Sequence, residues 1–374
     1  MDASSELVHS LLPVFLTAVL GASMLTVGLI EGVAEAIAAF TRVASGTLSD
    51  RLRRRKPLVV AGYGLALLAK PLFPLATSVA WVSAGRCIDR IGKGIRGAPR
   101  DALVADLTRP GERGAAYGLR QALDSVGALL GPLLAVLLML AFANDLQAVL
   151  WVAVVPAALA VLVLVTMVNE PDRPQRQAGG TSRLTLAGAS ALPRRFWLIV
   201  AGGVVFTLAR FSEAFLVLRA QDLGVGLAFV PVILIVMNLA YALAAYPAGA
   251  ASDRIGRRRL LLAGLLVLVA ADVTLAFAAG LRTACAGAAL WGLHMALTQG
   301  LLAALVADAA PEELRGTAFG LFNLMTGVAV LLASVVAGLL WSRFGAPATF
   351  LAGAVFALLA LIGLLAPRPA TAPR

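Results

Sequence analysis

The residues best suited to chemistry lie in the stretch from Ala84 to Pro132. On one helix, at about 100° per residue, its ionisable side chains fall within roughly 140° of arc. This charged stripe comprises Arg86, Asp89, Arg90, Lys93, Arg96 and Arg100. Arg120 and Asp124 follow, four residues apart, on the next predicted helix. Such residues can bind substrate, hold a proton or form a structural ion network, and we favour a substrate or proton site.

Acidic residues elsewhere could complete a proton-coupled site. Glu31 and Glu35 lie one turn apart in a predicted span and could pair with the stripe. Burial and a neighbouring arginine shift a carboxyl pKa in opposite directions, so their balance can place it near physiological pH. The candidates for such a titrating group are Glu31, Asp89, Asp124 and Glu213, followed by Glu6. Arg210, three residues before Glu213, could instead neutralise it.

Other polar and small residues within the apolar runs favour structural roles. Lys70 and Asp272 lie at equivalent depths in two predicted spans, and we expect structural pairing of these side chains. We expect His294 to be hydrogen-bonded rather than part of a proton relay. Gly127 and Gly131 have the spacing of close helix packing.

Enzymatic and cofactor motifs lack support in this sequence. Gly92, Gly94 and Gly97 spell a dinucleotide fingerprint, but no predicted strand precedes them, so they indicate close helix approach instead. Walker, H-E-x-x-H and G-x-S-x-G patterns do not occur. Cys87 and Cys285 both fall in apolar runs and predict two free thiols. We therefore expect no enzyme activity, cofactor or metal site.

The composition is that of a membrane protein. Hydrophobic residues make up 60% of the 374 residues and charged residues 14%, and the mean hydropathy is +0.90. Soluble proteins carry about 25% charged residues. The net charge of +11 lies in short clusters between apolar runs, which argues against a nucleic-acid-binding face.

Twelve apolar runs are predicted to be membrane-spanning helices, since about 20 apolar residues cross a bilayer. Their approximate bounds are 1–20, 22–46, 57–77, 79–105, 114–140, 147–168, 195–219, 227–250, 258–280, 283–308, 315–340 and 346–366. A linker rich in Pro, Gly and Arg (169–194) separates an N-terminal half (1–168) from a C-terminal half (195–374). The predicted fold class is an all-α polytopic membrane protein.

The orientation follows from the loops. Lys and Arg cluster in alternate short loops, and the intervening loops carry almost none. By the positive-inside rule the basic loops are cytoplasmic. We therefore expect a bacterial-type inner-membrane protein with both termini in the cytoplasm.

An internal repeat relates the two halves. G-T-L-S-D-R at Gly46 recurs as G-A-A-S-D-R at Gly249, and R-G-A-A-Y-G-L at Arg113 recurs as R-G-T-A-F-G-L at Arg315. The offsets, 203 and 202 residues, span an even number of helices. The sequence therefore predicts two parallel six-helix repeats related by an axis along the membrane normal.

The repeat also shows where the halves differ. At an offset of 202, the charged stripe corresponds to uncharged residues, so the fold alone does not require the stripe. Ser5 and Glu6 match Ser212 and Glu213, but only four residues precede Ser5, whereas about 17 residues of the predicted span precede Ser212. We therefore expect the first helix to lack about a dozen residues.

These features resemble the major facilitator superfamily (MFS) of secondary transporters. The family motif G-x-x-x-D-R-x-G-R-R follows the second helix of each half: Gly46, Asp50, Arg51 and Arg54, with Arg53 in place of Gly, and then Gly249, Asp253, Arg254, Gly256 and Arg257. The resemblance implies that these residues form a cytoplasmic gate that holds the halves together when the protein faces outward. Gly127, Gly131 and Pro132 resemble part of an antiporter motif whose trailing glycines are absent.

The expected function is proton-coupled export of a small organic molecule by alternating access around a site at the membrane midplane. An organic or inorganic anion is the alternative substrate, because five basic residues of the stripe face one acid. A non-transporting scaffold or sensor is the alternative from another class. Arg86 and Arg90 are predicted to contact substrate or the proton-carrying carboxylate. The resemblance implies a monomer.

Overall fold

We describe a computed structural model of the chain, which covers residues 1–52, 55–108, 113–168, 192–311 and 314–365. The described residues are almost entirely helical, as predicted. The helices are α1 (Asp2–Val14), α2 (Met24–Leu52), α3 (Lys56–Ala69), α4 (Val79–Leu107), α5 (Arg113–Ala141), α6 (Leu146–Val152), α7 (Val154–Met167), α8 (Arg194–Leu208), α9 (Ala214–Asp222), α10 (Val232–Ile255), α11 (Arg257–Ala276), α12 (Leu281–Ala309) and α13 (Arg315–Leu365).

These helices form the twelve predicted spans. A π-helical turn (Phe15–Val19) extends α1. Helices α6 and α7 form the sixth span, α8 and α9 form the seventh, and α13 bends at Gly345 (φ 84°) into the eleventh and twelfth. Six stretches of the described chain are long and apolar enough to cross a membrane by themselves: Met24–Gly46, Ala122–Ala141, Leu146–Met167, Leu227–Gly249, Arg258–Ala276 and the bent Ala318–Leu365.

Glycines let several helices pack at backbone distance. A methyl group added at Gly62 of α3 would lie 2.7 Å from the backbone of Arg96 on α4. One added at Gly94 would lie 2.8 Å from Ala38 O on α2, and one added at Gly131 would lie 2.8 Å from Leu7 N on α1. The close packing predicted for these glycines is confirmed. It brings α1, α2, α3 and α5 directly against the helix that carries the charged stripe or its neighbours.

The two halves meet along α2 and α13 and at one membrane face. A Cβ added at Gly32 of α2 would lie 2.9 Å from Leu331 Cα, and one added at Gly338 would lie 2.8 Å from Leu25 Cα. We call the face where α2 ends and α3 begins the basic face. At the opposite face, Thr17 Oγ1 donates to Gln221 Oε1 of the other half over 2.9 Å.

Candidate functional site

The charged stripe lies on α4 and faces the protein interior, as predicted. Arg86, Asp89, Arg90 and Arg96 are 1% to 4% exposed, although α4 lies in an otherwise apolar bundle. Ionised side chains at this depth are costly unless they are paired and hydrogen-bonded. The partners of the stripe therefore decide what it can do.

Arg86 is held by two other elements. Its Nη2 donates to Glu31 Oε2 on α2 over 2.7 Å and lies 3.0 Å from His9 Nδ1 on α1. Arg86 and Glu31 are each 1% exposed. The pairing expected for Glu31 is confirmed. It leaves the guanidinium neutralised and walled in by protein.

Asp89 is neutralised from another direction. Lys70, just after α3, donates to Asp89 Oδ1 over 2.9 Å and lies 3.1 Å from Ser5 Oγ. The structural pairing expected for Lys70 is therefore present. Its partner is an acid of the stripe itself, which repeat alignment alone did not indicate.

The next two arginines of the stripe also meet acids. Arg90 Nη1 lies 3.0 Å from Glu35 Oε1 on α2. Arg96 Nη2 lies 3.9 Å from Asp2 Oδ1 on α1, and its guanidinium stacks over the Tyr63 ring at 4.8 Å. Helices α1, α2 and α3 thus each contribute to binding the stripe.

The stripe ends in a four-membered network toward the basic face. Arg120 Nη1 donates to Asp124 Oδ2 over 2.7 Å and lies 3.6 Å from Asp101 Oδ1. Arg100 lies 3.4 Å from Asp124 Oδ2 and 3.5 Å from Asp101 Oδ1. This network borders a cavity of about 310 Å³ whose lining also includes Asp2, Glu6, Arg42, Lys93, Arg96, Gly97 and Ala128.

The seventh span is interrupted at the middle of the chain's C-terminal half. Predicted as one helix over 195–219, it consists of α8 and α9 separated by residues 209–213. Ser212 N donates to Ser334 Oγ over 3.2 Å, and Ala214 N donates to Ser212 Oγ over 3.2 Å. These side chains satisfy backbone groups that the interruption leaves without helical partners.

The interruption corrects the interpretation of Arg210 and Glu213. Neutralisation of Glu213 by Arg210 was predicted from helical spacing, which brings residues three apart onto one face. The intervening backbone is not helical, and within the described residues no hydrogen bond or ion pair joins these side chains. They remain close enough for their charges to act on each other.

Four ionisable side chains form what we call the central charge group: Glu6, Lys93, Arg210 and Glu213. None of the four makes a side-chain hydrogen bond or an ion pair within 4 Å in the part of the chain that the structure describes. The charges acting on Glu213 come from both halves: Arg210 from its own, and Glu6, Glu35 and Lys93 from the other. This group therefore lies where the two halves face each other.

Two buried polar residues of the second half had predicted structural roles. His294 Nδ1 lies 2.8 Å from Gly264 O, and its ring stacks on Phe206 at 5.4 Å between centroids. The hydrogen-bonded role expected of His294 is confirmed. The pairing expected of Asp272 is wrong, because neither carboxylate oxygen has a partner among the described residues. The position equivalent to Asp89, the partner of Lys70, holds Trp291.

The proposed gate motif is described only in part. Gly46 packs against Ala98 of α4, with 3.4 Å from an added Cβ, and Gly256 (φ 91°) turns the chain between α10 and α11. Gly249 lies on α10 with open space beside it. Arg54, and the side chains of Asp50, Arg51, Asp253, Arg254 and Arg257, lie outside the described residues.

Two side chains that anchor helices were missed by sequence reasoning. His9 joins the Arg86 pair, although it stands alone in an apolar run. Arg219 of α9 donates to the carbonyls of Leu275, Ala276 and Ala278, where α11 ends, and pairs with Asp222. A buried arginine near a span end is the signal that could have identified such a cap.

Metal and disulfide chemistry have no foundation in the described residues. They hold no group of three or more His, Cys, Asp or Glu side chains placed for a metal ion. Cys87 and Cys285 are free and half-buried. The arrangement is instead a set of buried ion pairs with a few unpaired charges between two helical halves.

Comparisons with known proteins define the class. A family model described as Major Facilitator Superfamily matches residues 2–219 and again residues 198–374. An uncharacterised MFS-type transporter of Methanocaldococcus jannaschii is 33% identical over 373 residues, covering 97% of this chain and 91% of that protein. The multidrug resistance protein MdtH of Proteus mirabilis is 33% identical over 135 residues, which are 36% of this chain and 32% of that protein. The structure of the nucleoside transporter NupG shares the fold, with a TM-score of 0.82, 13% identity and coverage of 97% and 96%.

The chain therefore belongs to the Major Facilitator Superfamily. The family model matches once in each half, in agreement with the internal repeat. The protein is a multi-pass membrane transporter of small molecules and not an enzyme.

Proposed function

We propose that this protein is a proton-coupled secondary active transporter that exports a small organic molecule by alternating access. The observation that carries the proposal is the central charge group. Every other charge of the α4 stripe has an oppositely charged partner within 4 Å, whereas Lys93, Glu6, Arg210 and Glu213 have none in the described chain. Unpaired ionisable groups between two moving halves are free to take up substrate or a proton.

Glu213 is the proposed carrier of the coupling proton. It lies in the interrupted seventh span, and its surroundings mix acids and bases from both halves. A rearrangement of the halves changes which of these charges lie near the carboxyl group. Its proton affinity then differs between the two conformations, which is the requirement for coupling.

Export is supported by the partial similarity to a multidrug resistance protein. In agreement with a small organic substrate, the site combines a few charges with a predominantly apolar bundle. The basic face is proposed to be cytoplasmic, and residues 169–194 are proposed to link the halves on that side.

The test uses purified full-length protein. A thermal-shift screen against tetraphenylphosphonium, glucose and benzoate finds a ligand, because a ligand that binds only folded protein raises its melting temperature. Proteoliposomes loaded with a pH-sensitive dye then report proton movement when that ligand is added. Glu213→Gln is expected to keep the thermal shift and abolish proton movement.

Glu35→Gln is the matched control, because Glu35 is also an acid of the site but is already paired with Arg90. It is expected to move protons. Proton movement at the wild-type rate by Glu213→Gln would contradict the proposed coupling role.

Anion transport is a second candidate, favoured by the two unpaired bases of the central charge group. On this hypothesis benzoate raises the melting temperature of the wild type and not that of Lys93→Gln. The stripe as a whole favours it less than its net charge suggests, because Arg86 and Arg90 are neutralised by Glu31 and Glu35.

A further inference from the structure

Asp272 on α11 is a buried carboxyl group that the proposed site does not use. It is 0% exposed, and neither of its oxygens has a hydrogen-bond partner in the described part of the chain. No charged side chain among the described residues acts on it. Its charge state is therefore set by its immediate neighbours alone.

Those neighbours connect Asp272 to the interrupted span. A Cβ added at Gly353 of α13 would lie 2.7 Å from Asp272 Oδ2 and 3.2 Å from Phe211 Cε1. Phe211 lies in the interruption between α8 and α9, where Arg210 and Glu213 are the titratable groups. On α12, the titratable group of the core is His294, whose Nδ1 is engaged by Gly264 O.

The internal repeat shows what is unusual about this position. An offset of 202 aligns Lys70 with Asp272 and Asp89 with Trp291. In the first half these positions form a buried ion pair. In the second half the cation is absent, and Trp291 Nε1 is also buried without a partner in the described residues.

An ionised carboxylate in this position would be uncompensated, which is among the costliest arrangements in a membrane protein. A metal cation would need several further oxygen ligands. The adjoining cavity, about 50 Å³, is lined by apolar side chains such as Phe211 and Leu332, with Thr349 as its hydroxyl. Thr349 Oγ1 already donates to Ala337 O. A proton needs no other ligand, because it forms one O–H bond and leaves a neutral group.

We propose that Asp272 is a second proton-binding site, occupied in this conformation and emptied when the interrupted seventh span moves. Displacement of Phe211 from Gly353 lets water reach the carboxyl group. The O–H bond then breaks, the proton passes to water, and the carboxylate remains. The role of this proton in coupling rests on the proposed function, whereas its presence on Asp272 does not.

Infrared difference spectroscopy of the full-length protein tests the occupancy without any substrate. The wild type minus Asp272→Asn is expected to show the carbonyl stretching band of a protonated carboxylic acid at neutral pH. Gly353→Ala is expected to shift the frequency of this band, because its methyl group presses on Oδ2. Gly363→Ala, on the same helix with nothing within 4 Å of an added Cβ, is expected to leave it unchanged.

A second measurement separates a coupling proton from a structural one. A bismaleimide joining Thr17→Cys to Gln221→Cys, with Cys87 and Cys285 replaced by Ser, holds the halves in the described arrangement. The band is expected to persist at alkaline pH in the cross-linked protein and to disappear in the uncross-linked protein. Equal behaviour of the two would overturn the coupling role.

Two further outcomes would overturn the proton site itself. One is the absence of a protonated-acid band in the wild-type difference spectrum. The other is a melting temperature raised by sodium chloride and not by potassium chloride, with the effect lost in Asp272→Asn, since this indicates a sodium site. Failure of Glu213→Gln to uncouple transport would leave the infrared result intact, so the two proposals are tested separately.

Discussion

At the scale of residues, the charges of α4 are organised by neutralisation. Arg86 is enclosed by Glu31 and His9, and Asp89 by Lys70, each from a different helix. Such pairs contribute little net free energy compared with apolar packing, but removal of one partner is severe. Their function is to position α4 against α1, α2 and α3 while leaving Lys93 unpaired.

Arg86→Met is expected to destabilise the protein by about 3 to 5 kcal/mol, because it leaves the Glu31 carboxylate buried without its cation. The double variant with Glu31→Met is expected to be more stable than the single variant. Thermal unfolding in detergent provides the comparison.

Arg343→Met is the control for this prediction, because Arg343 is exposed. Its expected effect is within about 0.5 kcal/mol. A single variant as stable as the double variant would show that Arg86 and Glu31 do not act as a pair.

At the scale of elements, glycine contacts and one interruption set the geometry. Helices α3 and α4 touch through Gly62 and Gly92, where an added Cβ would meet backbone atoms at 2.6 to 2.9 Å. This contact places Lys70 beside Asp89. The interruption between α8 and α9 places Arg210 and Glu213 on non-helical backbone, as in transporters whose broken helices form binding sites.

Gly62→Ala is expected to lower stability by about 1 to 3 kcal/mol, since its methyl group would lie 2.7 Å from Arg96 N and force the helices apart. Gly64→Ala, one helical position pair away on α3, meets nothing within 4 Å. It is expected to be neutral or slightly stabilising through its better helix propensity. Equal melting temperatures for the two variants would contradict the packing argument.

At the scale of the whole molecule, the halves are joined at the opposite face. Thr17 pairs with Gln221, and Leu25 N donates to Ser342 Oγ over 3.2 Å. Alternating access requires contacts of this kind to separate in the other conformation. The described arrangement is then one of two states whose populations a ligand or proton can shift.

Cross-linking Thr17→Cys to Gln221→Cys is expected to abolish ligand-driven proton movement in proteoliposomes, because this pair lies across the interface between the halves. Each single-cysteine variant, treated with the same bismaleimide, is expected to remain active. Undiminished proton movement by the cross-linked protein would show that these ends do not separate during transport.

Much of the fold was predictable because the membrane restricts the alternatives. A bilayer requires each span to satisfy its own backbone hydrogen bonds, so apolar length alone predicts helices. The bounds of α2, α4 and α5 follow the predicted spans closely, and the glycine contacts appear where small residues recur. The seventh span was predicted wrongly as continuous, because the interruption depends on Ser334, 122 residues from Ser212.

The sequence by itself determined the membrane class, the twelve spans, the repeated halves and the inward direction of the charged stripe, since each follows from hydropathy, spacing or the cost of charge in lipid. Only the tertiary structure decided which charges cancel. Glu31 and Arg86 are 55 residues apart, and Arg86 and His9 are 77 apart. Pairing over such separations depends on how helices are rotated and packed, a property that no local pattern records. Burial without a partner at Asp272 became visible for the same reason.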